Sequence, residues 1–123
     1  METATTTATL YQRIGGAPAI AAALDLMYVK IVADPDLAPY FERVNVARHA
    51  AKAGDFVGAA LGGPEVYRGK DMRSAHARLS ICPHEFAAAA GYLAESLTEL
   101  GVPDDVAGEL LAVVGSLQAD IVK

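Results

Sequence analysis

Tryptophan is absent from this chain, and phenylalanine occurs only three times in 123 residues, although 53% of the sequence is hydrophobic. Alanine and medium-sized aliphatic side chains therefore carry most of the apolar character. Small side chains let helices approach closely but leave little volume to fill an interior, so something bulky besides protein is expected to complete the core. Basic runs are missing as well. Ten Lys and Arg stand against fifteen Asp and Glu, a net charge of −5, and no cationic stripe is offered to phosphates, so nucleic acid is not an expected partner. The one cysteine, Cys82, can form no internal disulfide, which fits a reducing, cytoplasmic setting. No apolar stretch approaches the ~20 residues that span a bilayer, and no membrane association is expected. The opening METATTTATL lacks a basic leader and a signal-type hydrophobic block. It reads as a frayed tail over residues 1–8, which leaves a single domain over 9–123.

The patterning that is present is helical, and no segment reads as a strand. GGAPAIAAALDLMYVKIVADP predicts a helix starting after Gly15-Gly16 and stopping before Pro35, with Ile20, Leu24, Met27, Tyr28 and Ile31 on its apolar face. The paired prolines of DPDLAPYFERV predict a tight turn that delivers Tyr40 and Phe41 as a bulky corner. Asn45 is suited to cap a third segment that Gly62-Gly63-Pro64 ends, with Val46, His49, Ala53, Phe56 or Val57, and Ala60 inward. A loop over 64–69 and a short helix holding His76 follow. Pro83 opens a helix with Phe86, Ala90, Leu93, Leu97 and Leu100 on one stripe, closed by Gly101. Pro103 opens the last, whose Asp104 and Asp105 suit a positive helix start and whose buried face runs Val106, Leu110, Val113, Leu117, Ile121. The expectation is an all-α domain with helices too short and unequal for an up-down coiled-coil bundle.

Three polar rings sit on the apolar faces of three different helices: Tyr28, His49 and His76. A buried tyrosine can send its hydroxyl to a carbonyl, and a buried histidine can be satisfied on both nitrogens. His76, in KDMRSAHARLSI, reads on that stretch alone as a satisfied core histidine ahead of a metal ligand, since periodicity marks burial and not purpose. Three such rings together are harder to dismiss, because each unpaired polar group in a core costs roughly 1–3 kcal/mol. Convergence on one polar object in an oily pocket resolves that cost, and iron in a haem fits the description, being itself the bulk that the alanine-rich core lacks. Arg48 and Lys52 flank the inner face of their helix and could meet haem propionates, or could be plain surface charges. Zinc is poorly supported: CxxC and HExxH are absent, and His76 and His84 share no helical face. LGGP lacks the Gly-Lys-Ser/Thr of a phosphate loop. Cys82 reads as an inert thiol near a helix start.

The pieces LYQRIGGAPAI, MYVKIVADPDLAPYF, ALGGPEVYRG, MRSAHARLSI and GYLAESLTELGVP, in this order, resemble the group I truncated haemoglobins, globins with a two-over-two helical sandwich. The resemblance covers about residues 9–122. It implies that His76 is the proximal ligand of the iron of haem b, that Phe41 wedges against the porphyrin, and that Tyr28 donates a hydrogen bond to bound dioxygen. It places Arg48 and Lys52 as propionate partners, and Tyr67 and Met72 on the haem-lining stretch. The distal side departs from the family pattern. Ala53 replaces a frequent glutamine, Met27 a phenylalanine, and Val57 a phenylalanine often credited with gating a ligand tunnel. His49 points into the pocket one turn before Ala53, and Ala53-Gly54 leaves that wall bare. The resemblance implies reversible binding of dioxygen, nitric oxide and carbon monoxide by an expected monomer. It also implies oxidation of nitric oxide to nitrate with an external reductase, since no flavin or nicotinamide domain is present. The alternatives are a ligand carrier or sensor without turnover, and electron transfer through iron held by both His76 and His49.

Overall fold

The computed structural model describes residues 9–64, 67, 72–76, 79 and 81–122, and every regular element among them is helical. The expected tail over 1–8 lies outside the described residues, as do most of the loop over 64–69 and Lys70 and Arg78 of the His76 stretch.

A short helix that the hydrophobic pattern alone did not mark, α1 (Leu10–Ile14), opens the domain. It begins at Thr9 because Thr9 and Gln12 satisfy each other: the Gln12 amide donates to Thr9 Oγ1 (3.1 Å) and the Thr9 amide donates to Gln12 Oε1 (2.9 Å). The chain then turns through Gly15 and Gly16, at φ of +114° and +75°, a region that side-chain-bearing residues rarely occupy. The long α2 (Gly16–Ala33) follows, burying Ile20, Ala23, Leu24, Met27, Tyr28 and Ile31, and Asp34 ends it before Pro35. Next comes a 3₁₀ turn over Ala38–Phe41. The Asn45 side chain caps α3 (Val46–Ala60) by accepting from the Arg48 amide at 3.0 Å. One turn, α4 (Met72–Ala75), precedes His76. The C-terminal half consists of α5 (Pro83–Glu99), α6 (Asp104–Gly115) and α7 (Gln118–Ile121).

Two helix pairs make the sandwich. α2 packs on α3, α5 packs on α6, and contact between α2 and α5 joins the pairs, giving the two-over-two arrangement. α2 and α5 run in opposite directions. Lys30 meets Glu99 at 2.7 Å and Glu95 at 3.6 Å, while Asp34, further along α2, accepts from the Tyr92 hydroxyl at 2.5 Å, further back along α5. α1 closes one end: the Tyr11 amide reaches the Leu61 carbonyl (3.1 Å), and Arg13 forks onto Glu109 of α6.

Four expectations are corrected by this packing. Ala60 is exposed, and Ala50 and Gly58 are buried instead. Residue 60 falls in the last turn, where Gly62 (φ +93°) is already swinging the chain away. Leu100 is 42% exposed, since it caps α5 outside the helix and Gly101 turns beside it. The last helix does not run through to Ile121. It stops at Gly115, where the Ser116 hydroxyl bonds back to the Val113 carbonyl (2.6 Å), so Val113, Leu117 and Ile121 are half-buried rather than one buried stripe. Finally, α2, with 18 residues and a mean hydropathy of 1.5, is long and apolar enough to cross a membrane by length and composition alone. Here six of its residues belong to the core between α3 and α5.

Candidate functional site

A cavity of about 830 Å³ lies between the helix pairs, a size typical of ligand and cofactor sites. α2 contributes Leu24, Met27, Tyr28 and Ile31, the 3₁₀ turn Tyr40 and Phe41, and α3 His49, Lys52, Ala53, Phe56 and Val57. The rest of the lining includes Tyr67, Met72, Ala75 and His76 on and after α4, Phe86 and Leu93 on α5, and Ile121 on α7. Of the candidates read from sequence, Tyr28, Phe41, His49, Lys52, Ala53, Tyr67, Met72 and His76 all come together on this one lining. Arg48 does not: it is exposed and lies off the lining, while Lys52, one helical turn on, reaches it.

The upper wall is a knot of three rings. His49 stands edge-on to Tyr28 (5.2 Å between centroids) and to Phe41 (5.5 Å), and Tyr28 meets Phe41 at 5.7 Å. Such edge-to-face contacts hold rings in fixed attitudes. Tyr28 is 8% exposed, and among the described residues its hydroxyl has no hydrogen-bond partner. Burial pushes its pKa up to about 12, so the hydroxyl stays protonated and can only offer its proton or accept one. Burial also lowers the pKa of His49, and the electrostatic influence of His76 and Lys52 nearby adds to it. The low-dielectric setting penalises its charged form, and the ring is neutral at pH 7.

Elsewhere on the lining, His76 Nδ1 lies 2.7 Å from the Met72 carbonyl. A carbonyl only accepts, so Nδ1 carries the proton and Nε2 keeps its lone pair. A backbone bond of this kind fixes the tautomer and the attitude of a metal-ligating imidazole. Sequence reading missed the polar pair at the cavity edge, where the Tyr40 hydroxyl donates to Glu85 Oε1 at 2.8 Å. Its signal was Glu85 standing three residues after Cys82, where it also accepts from the Cys82 amide (3.0 Å) and so helps to start α5. Cys82 itself serves as that helix cap, with His84 Nδ1 at 3.2 Å from its sulfur.

These residues fit a haem. An apolar cavity, an imidazole with its far nitrogen available, and a buried hydroxyl left without a partner are together what an iron porphyrin with a polar ligand would satisfy. No group of three or more His, Cys, Asp or Glu able to hold a bare metal ion occurs among the described residues, so coordination that needs only one protein ligand suits the donor set.

The signature of the bacterial-like globins matches residues 9–123. A group 1 truncated haemoglobin of Mycolicibacterium paratuberculosis is 38% identical over 114 residues, 93% of this chain and 84% of that protein. The crystal structure of a truncated haemoglobin from Tetrahymena pyriformis in its Fe(III) form superimposes with a TM-score of 0.88 at 34% identity, covering 94% of this chain and 98% of that one. The 2/2 haemoglobin of a Synechococcus species, solved in the cyanomet state with covalently attached haem, gives a TM-score of 0.86 at 33% identity and covers 93% and 98%. With signature, sequence and fold agreeing over nearly its whole length, the chain belongs to the bacterial-like globin family, in the company of the group 1 truncated haemoglobins.

Proposed function

We propose that the cavity holds haem b and that the protein binds dioxygen, nitric oxide and carbon monoxide there, converting nitric oxide and dioxygen to nitrate when an external reductase supplies electrons. Membership of the truncated haemoglobins implies haem-based binding of diatomic ligands. The single observation that carries the reading for this chain is that His76, with Nδ1 anchored, and Tyr28, with its hydroxyl unpaired among the described residues, line the same apolar cavity.

The bound haem supplies an iron that takes a diatomic ligand and exchanges electrons. The chain's own residues do the rest. His76 offers Nε2 to the metal while the Met72 carbonyl stops the ring from rotating. Phe41 and Met72 pack as cavity walls, and Tyr67 is held edge-on to Phe56 at 5.1 Å. Lys52 is the cation on the lining able to meet a propionate, and Arg48 would have to reach one from outside. Tyr28 would offer a hydrogen bond from its hydroxyl to a polar ligand held in the cavity, and its raised pKa keeps that proton in place at every physiological pH. With Ala53 bringing no polar group, His49 is the second donor. Its edge-on seat between Tyr28 and Phe41 favours a hydrogen-bonding role over direct ligation of the metal. A monomer in the cytoplasm, with Cys82 as a free thiol, completes the proposal.

The absorption spectrum of the purified protein in ferric and ferrous states is the first test, because it reports haem content and coordination number together. Rapid mixing of the oxygenated protein with nitric oxide should then give stoichiometric nitrate, and a cellular reductase should restore the ferrous form. Nitrate formation without rereduction by any such reductase would leave a carrier or sensor in place of an enzyme. A low-spin ferric spectrum that turns high-spin in His49→Leu would establish the iron held by two histidines.

A further inference from the structure

The break at the end of α6 has a consequence for the wall that carries His76. α6 stops at Gly115, the chain turns through Ser116 and Leu117, and α7 is thereby laid against α4. Two contacts define the meeting. Arg73 Nη2 lies 3.0 Å from Asp120 Oδ1, and Ile121 lines the cavity together with Met72, Ala75 and His76. Arg73 is the neighbour of Met72, whose carbonyl orients the His76 ring. α4 has only four residues, far fewer than the ~12–15 at which a helix begins to persist by itself, so its placement must come from what it packs against. Among the described residues, that element is chiefly α7.

We propose that α7 is a clamp on the His76 turn, in which Asp120, through Arg73, and Ile121, through the cavity wall, position the imidazole and so set both the hold on haem and the strength of the iron–histidine bond. The proposal rests on the haem reading above. Asp120 and Arg73 touch no reacting atom; they are positioning residues. The ion pair is well exposed, with side chains 71% and 41% accessible, so it adds little to the stability of the fold as a whole. Its effect is local, on a four-residue turn that packs against α7.

The test uses the ferric and ferrous holoprotein in four forms: wild type, Asp120→Asn, Ile121→Ala, and the reversed pair Arg73→Asp with Asp120→Arg. Transfer of haem to excess apomyoglobin gives the rate of loss, the iron–histidine stretching band of the ferrous form gives the bond, and a urea midpoint gives the fold. Asp120→Asn is expected to speed haem loss about two- to fivefold and to lower the stretching frequency with no change in midpoint. Ile121→Ala should speed loss about tenfold, since a half-buried apolar side chain is truncated, and should lower the frequency as well. The reversed pair should return both readouts toward wild type. Haem loss and stretching frequency equal to wild type in both single variants would overturn the clamp while leaving the haem reading intact, and so would losses that merely follow the urea midpoint. A wild-type protein that takes up no haem would overturn the haem reading and the clamp together.

Discussion

On one part of the cavity lining Tyr28 and His49 stand on helices of 18 and 15 residues, while on another His76 follows a helix of four. The first wall is made by long-range packing: α2 lies between α3 and α5, and its buried residues belong to the main core. The three rings there hold one another. The turn that carries His76 is held in part by local bonds, its side chain onto the Met72 carbonyl and a surface ion pair from Arg73 to α7. A rigid wall suits groups that must discriminate among ligands by a fraction of an ångström. On the other wall the imidazole's attitude depends on the Met72 carbonyl and on the packing of α7 against α4.

The contrast is broken most severely at His76. His76→Leu removes the one imidazole on its wall, and the purified variant is expected to lose essentially all stoichiometric haem. Haem content by the pyridine haemochrome assay checks this, and full retention with an unchanged ferrous spectrum would refute the assignment.

On the rigid wall the largest effect belongs to Tyr28. Tyr28→Phe keeps the ring knot but removes the donor, a charge-assisted bond of about 1.5–3 kcal/mol, so dioxygen should leave roughly ten- to a hundredfold faster. Stopped-flow oxygen release measures it. Unchanged release in Tyr28→Phe, His49→Leu and the double variant would mean that neither group touches the ligand.

A smaller effect sharpens the role of His49. Its folded-state pKa is depressed, so the unfolded chain binds its proton more readily. Stability linked to this group is therefore complete above the unfolded value of ~6.5 and is lost as pH falls below it, until the folded pKa is passed. Ligand release should accordingly be flat from pH 8 down to about 6.5 and change only in more acid solution. His49→Leu should abolish both the acid change in release and its share of the acid loss in urea midpoint.

The mildest test concerns the wall's bare stretch. A Cβ on Gly54 would meet only Leu24 Cδ1, at an ordinary 3.9 Å, and the helix there is regular. Gly54→Ala should thus raise stability by about 0.5–1 kcal/mol with oxygen release unaltered. A lower urea midpoint would show that the glycine is needed for packing.

Local chemistry was readable in the chain. Pro35, Asn45, Pro83 and Gly101 mark where helices stop and start, because caps and φ restrictions act over a few residues, and the faces of α2 and of the first part of α6 follow from spacing alone. Tyr28, His49 and His76 stood out because polar rings at apolar positions violate a pattern visible in one dimension. Some features were hidden because no local rule governs them. The Gly115–Ser116 break became consequential only because it lays α7 on α4, Arg48 and Lys52 were separated by the direction of α3, and the shift at His49 arises first from burial and then from His76, which only the tertiary fold brings near. Periodicity declares that a side chain is buried, since burial depends on the helix it belongs to. What that side chain meets depends on where the other helices lie, and that was decided only when two pairs of them closed around a cavity.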